Sequence, residues 1–375
     1  MANISGFARD LVYTSKQIFL GASADTKVTA PEFLRLCLDA GKPQILSSIK
    51  DDTTGHVRDI KLKSRPRSAP GNSSDTYSCD GDNFRLYDEG YITQSMFRQV
   101  AINFEYSTLA KFNSEATTLR STPGVPPRLG GIMNEVWDSI ASEMNGLLGD
   151  IDIDLLTKMN TLWGVNAANG LNTGKTINFP LNGTNNDLTS GMTGILYDAQ
   201  LNELDITNCA LVGNGLVAQY HLQNMIKNAK SFDQAGLNTS AMGMPEFYND
   251  LYSISNWGAN KFGIVDKRAL QFLDLNINQG FQADDFGTSV FFMMPIPIVD
   301  SMGNTININF DIQVKFVDCP TTLTNRYGDP ITIGKGIIVY IRKPFDIYLP
   351  PSTSYAAGDR LSGNNGTLKY TATNS

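Results

Sequence analysis

Between Gly130 and Gly164 the apolar residues Ile132, Val136, Ile140, Met144, Leu147, Leu148, Ile151, Leu155, Met159 and Leu162 recur at steps of three and four. That spacing is the stripe of one long amphipathic helix. Pro126, Pro127, Gly130 and Gly131 punctuate its start, and Gly164 stops it after Trp163. At 1.5 Å per residue such a helix is a rod of roughly 50 Å. Gly146 and Gly149 interrupt it and no charged frame surrounds a strict heptad, which disfavours a coiled coil. The pattern predicts a core helix of a large domain or, more sharply, a spine to which several subdomains attach.

Upstream, residues 1–28 hold only a short apolar group around Leu11, Val12, Ile18 and Phe19, which predicts an extended arm with a turn of helix. Thr29 and Glu32 form a capping box around Pro31, Phe33, Leu34, Cys37 and Leu38 make an apolar face, and Gly41 closes a short helix. From Thr54 to Glu89 the texture changes. Arg58, Lys61, Lys63, Arg65 and Arg67 go out around Ile60 and Leu62, and Pro66, Pro70, Gly71 and Asn72 mark a tip. Asp75, Asp80, Asp82, Asp88 and Glu89 come back. Too few large apolar residues accompany them to bury this stretch on a core, so a long projecting hairpin is expected. Val100, Ile102, Phe104 and Tyr106 then alternate as a strand.

Downstream of the spine, residues 165–192 read as loop. Cys209–Val212 reads as a strand leading to a helix over 216–229; a second helix opens at Pro245; Phe262–Val265 reads as a strand followed by a helix capped by Asp266. These alternating signals predict an α/β lobe. Ile306, Ile308, Phe310, Ile312, Val314 and Phe316 alternate with polar residues as a long strand, with Ile337 to Ile341, Phe345, Ile347 and Leu349 as its partner. Pro350 and Pro351 end the expected fold and leave a mobile Ser/Thr/Asn/Gly tail.

Composition adds limits. With 375 residues, 41% hydrophobic and 18% charged, the chain is long enough for two or three folded domains. A net charge of −7 gives no basic footprint, so sequence-specific nucleic-acid binding is not expected. No charged and apolar leader follows Met1, and the longest apolar run, Val290–Val299, is broken by Pro295 and Pro297 at about half the length of a membrane span. The expectation is a soluble, cytoplasmic product with no membrane partner. Cys37, Cys79, Cys209 and Cys319 form no CxxC pair, so neither a disulfide framework nor a zinc site is implied.

Three motifs invite chemistry and fail on context. Gly213, Gly215 and Ala218 with Asp233 imitate a dinucleotide fingerprint, but Asn228 to Ser231 before the aspartate are no second strand. Gly170, Gly174, Lys175 and Thr176 imitate a phosphate loop with the first glycine one place too close, and Ile177, Asn178 and Phe179 read as extended where a helix should begin. Asp150, Asp152 and Asp154 open like a calcium loop, yet Leu155 and Thr161 hold the places of its glycine and glutamate, so a solvated helix face is expected. The two histidines, His56 and His221, frame no catalytic group. No catalytic residue, cofactor or metal is expected.

The order of arm, charged hairpin, alternating strand, spine helix, α/β lobe and closing strands resembles the major capsid protein of tailed bacteriophages, the Hong Kong ninety-seven-type fold shared with encapsulins. The likeness rests on the hairpin Thr54 to Glu89, the strand Val100 to Tyr106, the spine Ile132 to Trp163, the step Phe262 to Asp266, and the strands Ile306 to Phe316 and Gly336 to Leu349. It implies an α+β fold with an N-arm (1–50), an E-loop (51–90), a P domain (91–194 and 301–350) holding the spine (130–164), an A domain (195–300) and a tail (351–375). It implies a structural protein, not an enzyme, that forms hexamers and pentamers of an icosahedral shell around double-stranded DNA without reading its sequence. Portal, scaffold and cement proteins would be its partners, and the virion its location after assembly in the host cytoplasm. A shell around protein cargo is the alternative, and a nucleotide-binding enzyme the more distant one. No long helical scaffolding segment is expected ahead of the arm, so a separate scaffold protein, or none, would be needed. The resemblance makes Arg58, Lys61, Lys63, Arg65, Arg67, Asp75, Asp80 and Asp82 candidate contacts between subunits.

Overall fold

The computed structural model describes residues 4–20, 28–39, 44–50, 57–66, 87–93, 96–121, 131–164, 166, 174–178, 191–213, 246–248, 257–258, 260–275, 282–283, 289–299, 305–317, 321–324, 330–333, 336–349 and 364–373. In chain order these residues form α1 (Ile4–Leu20), α2 (Glu32–Asp39), β1 (Gln44–Lys50), β2 (Val57–Pro66), β3 (Tyr87–Thr93), β4 (Met96–Glu105), α3 (Tyr106–Ser121) and α4 (Gly131–Thr161). They continue as β5 (Lys175–Asn178), α5 (Gly191–Leu201), β6 (Cys209–Gly213), β7 (Glu246–Tyr248), β8 (Lys261–Asp266), β9 (Gln271–Asp274), β10 (Gln282–Ala283) and β11 (Ser289–Val299). The last strands are β12 (Thr305–Val317), β13 (Thr321–Thr324), β14 (Pro330–Ile333), β15 (Gly336–Tyr348) and β16 (Thr367–Thr373). The fold class is α+β, as expected.

The predicted spine is α4, 31 residues and about 46 Å long. Val136, Ile140, Met144, Leu147, Leu148, Ile151, Leu155 and Met159 of the stripe are buried, and Trp137, Ala141 and Leu156 widen the buried arc. It packs against β4 and β15 of a six-stranded sheet with the order β10-β11-β12-β15-β4, on which β9 also pairs with β15. Ile308, Phe310, Ile312 and Val314 of β12 are buried toward this core, and Ile337, Val339, Ile341, Phe345 and Ile347 do the same on β15. The apolar run 290–299, too short for a membrane, is β11 on the same sheet; its buried alternate residues are Val290, Phe292, Met294, Ile296 and Ile298.

A second, five-stranded sheet has the order β5-β16-β8-β6-β7 and its own core of Ile177, Ile195, Leu211, Phe262, Ile264, Leu368 and Tyr370. Three antiparallel strands, β1-β2-β3, form a separate sheet that shares no strand with these two and touches the body where β3 meets β15.

Several expectations are corrected. The expected extended arm contains a 17-residue helix, α1. Its Phe7 meets Phe112 of α3 edge to face at 5.0 Å, and Thr14 accepts the indole N–H of Trp137 at 3.0 Å. Docking on α3, α4 and β11, rather than local pattern, holds this helix. The stretch 165–192 contains β5 and the start of α5. Residues Glu246–Tyr248 are strand, not the start of a helix, and no helix follows Asp266. There the Asp266 carboxylate accepts the N–H of Arg268, and its carbonyl accepts that of Ala269, so a side chain suited to a helix cap closes a turn into β9. The expected mobile tail contains β16, which lies inside the five-stranded sheet between β5 and β8. The helix expected over 216–229 lies outside the described residues.

The end of the spine explains this last placement. Asn365 donates to the carbonyl of Leu162 at 2.7 Å, and Thr367 accepts from the N–H of Gly164 at 2.9 Å. A Cβ on Gly164 would lie 2.3 Å from the Thr367 carbonyl. The glycine that stops the helix therefore also admits the returning strand.

Met144 is fully buried and Asp138 only half-buried. Met144→Asp buries an unpaired carboxylate and is expected to cost several kcal/mol, whereas Asp138→Ala costs under ~0.5 kcal/mol. Denaturant melts of the two variants check this; equal stability would contradict a core-facing stripe.

Candidate assembly surface and its charged clusters

The charged stretch forms paired strands. Arg58, Lys61, Lys63 and Arg65 lie on β2, and Asp88 and Glu89 on β3. Arg67, Asp75, Asp80 and Asp82 lie outside the described residues. In register, Lys63 stands opposite Glu89 and Lys61 opposite Tyr91, while Ile60 stands opposite Ile92 and Leu62 opposite Ile45 of β1. From Ile60 to Lys63 apolar and basic positions thus alternate along the middle strand, while Arg58 falls on the same parity as Ile60 and Leu62. The structure aligns one basic residue of the candidate set, Lys63, with an acidic residue of the same hairpin.

Charge also marks the joints of the body. Asp150, Asp152 and Asp154 separate instead of converging. Asp152 is buried, not solvated as expected, and accepts the N–H of Leu34 at 2.6 Å, holding α2 to the spine. Asp154 takes the Arg98 guanidinium of β4 in a two-point pair at 2.6 and 2.9 Å, a strong and directional geometry. Asp152 and Asp154 serve different joints, Asp150 is exposed, and the three frame no cation site.

Lys343 was not legible as a site, although it occupies a core-facing place in the alternation Ile337, Val339, Ile341, Lys343, Phe345, Ile347. It sits at a fork in the six-stranded sheet: β12 pairs with β15 as far as Arg342, and β9 takes over at Phe345. The fully buried ammonium donates to Asp274, to the Asn309 carbonyl at 2.8 Å and to the Leu275 carbonyl at 3.3 Å. All three donors are therefore used where two strands diverge. Burial holds the Lys343 pKa below the ordinary lysine range, against the opposing pull of Asp274 and Asp311.

The motifs set aside on sequence stay apart from ligand chemistry. Gly174 has φ +95 and turns the chain into β5, where the Lys175 ammonium pairs with buried Asp198 at 2.8 Å. Asp198 also accepts from Asn166 at 3.3 Å, so that lysine is held inside the fold. Gly213 ends β6, where a Cβ would meet Phe262 at 2.7 Å; Gly215, Ala218 and Asp233 lie outside the described residues, as do both histidines. Cys37 and Cys209 are buried and in no disulfide. Among the described residues no group of three His, Cys, Asp or Glu could hold a metal, and no helix is long and apolar enough to cross a membrane.

No family model matches the chain, and no curated protein matches it. Solved structures similar to it include one from Mycobacterium phage Cain, with 13% identity over 95% of this chain and 92% of that one at a TM-score of 0.38. The capsid of cyanophage P-SCSP1u is similar at 11% identity over 96% and 94%, with a TM-score of 0.38. A virus-like particle from Pyrococcus furiosus is similar at 8% identity over 89% and 96%, with a TM-score of 0.35.

One buried charge lacks compensation. Asp346 is 5% exposed; one carboxylate oxygen accepts from the N–H of Ile347 and the other has no hydrogen-bond partner. Burial raises its pKa above the ordinary aspartate range, with Lys158 opposing. A raised folded-state value means that the native chain holds the proton more tightly, so stability falls as pH rises from the unfolded value of about 3.9 through the folded one. Asp346→Asn is expected to melt higher than the wild type at pH 7, with the gain fading as pH falls below about 4. Melting curves across that window check the sign; a variant less stable at pH 7 would contradict it.

Proposed function

We propose that this chain is a structural shell protein, the major capsid protein of a tailed phage, and not an enzyme. The observation that carries this reading is the β1-β2-β3 sheet, which holds residues 44–50, 57–66 and 87–93 outside both body sheets with a charged middle strand. A small sheet is stable when it has an apolar face or an element to pack against. A second copy is the partner that a repeating shell supplies.

In this reading the hairpin is the E-loop over 51–90, and residues 1–50 are the N-arm with α1 and α2 docked on the spine. The P domain carries the spine and the six-stranded sheet, taking β9, β10 and β11 from the expected A range 195–300, and the A domain carries the five-stranded sheet, taking β5 from the expected P range 91–194 and β16 from the expected tail 351–375. Hexamers and pentamers close an icosahedral shell around double-stranded DNA, contacting phosphates without base readout. Portal, scaffold and cement proteins complete the virion, assembled in the host cytoplasm.

Light scattering and electron microscopy of the purified protein at micromolar concentration, with and without a co-expressed scaffold, test the reading. Pentamers, hexamers or closed shells are expected; a monomer under every condition would overturn it. The nucleic-acid content of shells formed in infected cells separates a genome container from one that holds protein cargo.

The hairpin charges give a second expectation. Facing arms within one exposed hairpin contribute only about 0 to 1 kcal/mol per pair, whereas mismatched charges across an interface cost several kcal/mol. Replacing Lys61, Lys63 and Arg65 together with Glu should leave the body folded by circular dichroism while assembly stops at capsomers or monomers. Normal shells from that variant would show that these charges do not join the subunits.

A further inference from the structure

Where the C-terminal end of α4 meets the five-stranded sheet, cationic donors gather with no carboxylate paired to them among the described residues. Lys261 of β8 stands opposite Thr371 of β16, and Lys369 opposite Gly263. The two lysines are therefore diagonal neighbours on one face, a placement of like charges that weakens a strand pair. Trp163 covers this face: its ring would lie 2.3 Å from a Cβ on Gly263, and the Lys369 ammonium stands 5.9 Å from its centroid. Trp257 meets Trp163 edge to face at 5.2 Å.

The acceptors at this corner are few. Lys261 donates to the Thr371 hydroxyl at 2.5 Å. Lys369 reaches the side-chain oxygen of Asn160 at 3.4 Å, but the Trp163 indole already donates to that oxygen at 3.2 Å. Neither lysine pairs with a carboxylate among the described residues. Trp257 is 5% exposed and its indole N–H has no acceptor. Burial, and then the charge of Lys261, hold the Lys369 pKa below the ordinary lysine range. The negative end of α4 offers partial compensation to Lys369; it leaves Lys261 and the Trp257 donor as they are.

We propose that Lys261 and Lys369, beside Trp163, form a docking site for a side-chain carboxylate supplied by a second copy of this chain, from the acidic return of its hairpin. This rests on the shell reading. Charge complementarity selects the occupant: the chain carries a net charge of −7, and Asp75, Asp80, Asp82, Asp88 and Glu89 fall within fifteen residues of sequence, the last two on β3, outside both body sheets. One carboxylate between the two ammonium groups turns their repulsion into charge-assisted hydrogen bonds.

The test titrates a synthetic peptide of residues 75–89, carrying Cys79→Ser, into the full chain held below its assembly concentration. Trp163 and Trp257 report through their fluorescence. A saturable change by millimolar peptide is expected, at least tenfold weaker in Lys261→Gln/Lys369→Gln and lost when the peptide's acids are replaced by amides. The double variant should melt no lower than the wild type, because a like-charge pair has been removed. No response, an equal response in the variant or with the neutral peptide, a response to inorganic phosphate alone, or a variant that melts well below the wild type would overturn the site. Failure of the peptide with wild-type shells intact overturns this site alone; failure of the wild type to assemble overturns the shell reading itself.

Discussion

Everything in the body depends on burying the long face of α4. One helix of 31 residues presents more apolar surface than a single neighbour can cover, so α2, α3, β4 and β15 all contribute. At about 25 cal/mol per Å² of apolar surface, burying each Leu, Ile or Met is worth about 1.5–3 kcal/mol before conformational entropy is counted. The helix therefore acts as a common wall. The six-stranded sheet packs along it, α2 is tied to it through Asp152, and the five-stranded sheet meets it at Gly164.

That wall sorts the charged residues by role. Where elements must meet at a defined point, a charge is buried and fully bonded: Asp152 to the α2 backbone, and Lys343 at the β9/β12 fork. Removing either partner of a buried pair costs about 3–5 kcal/mol, although the pair itself contributes little net stability. Such pairs act through geometry. The hairpin charges belong to a different class, since they lie on a sheet outside both body cores and gain meaning only from what the sheet touches.

The parts of the fold visible in the sequence are those whose pattern is long and strictly periodic. The spine, the strand at 306–316, its partner at 337–349 and the alternation of Val100, Ile102 and Phe104 all qualify, although Tyr106, expected on that last strand, opens α3. What stayed hidden depends on distant partners. The α1 residues Phe7, Ala8 and Leu11 make too thin a stripe to declare a helix alone and need Phe112 and Trp137 opposite them. The strand β16 was obscured by the prolines and polar loop before it, although Leu368, Tyr370 and Ala372 alternate and are all buried. Asp152 reads as one of three surface acids because its partner, Leu34, lies 118 residues earlier in the chain. The candidate charges at 58–67 were legible as a pattern, but their pairing register with β1 and β3 was not.

The central proposal is that the sheet of β1, β2 and β3 serves a neighbouring copy while the spine is complete within each subunit. Hydrogen exchange on isolated subunits and on assembled particles measures both at once. Amides of α4 should be protected in both states, and amides of β1, β2 and β3 should become protected only on assembly. Equal protection of those three strands in the isolated subunit and in the particle would contradict the account.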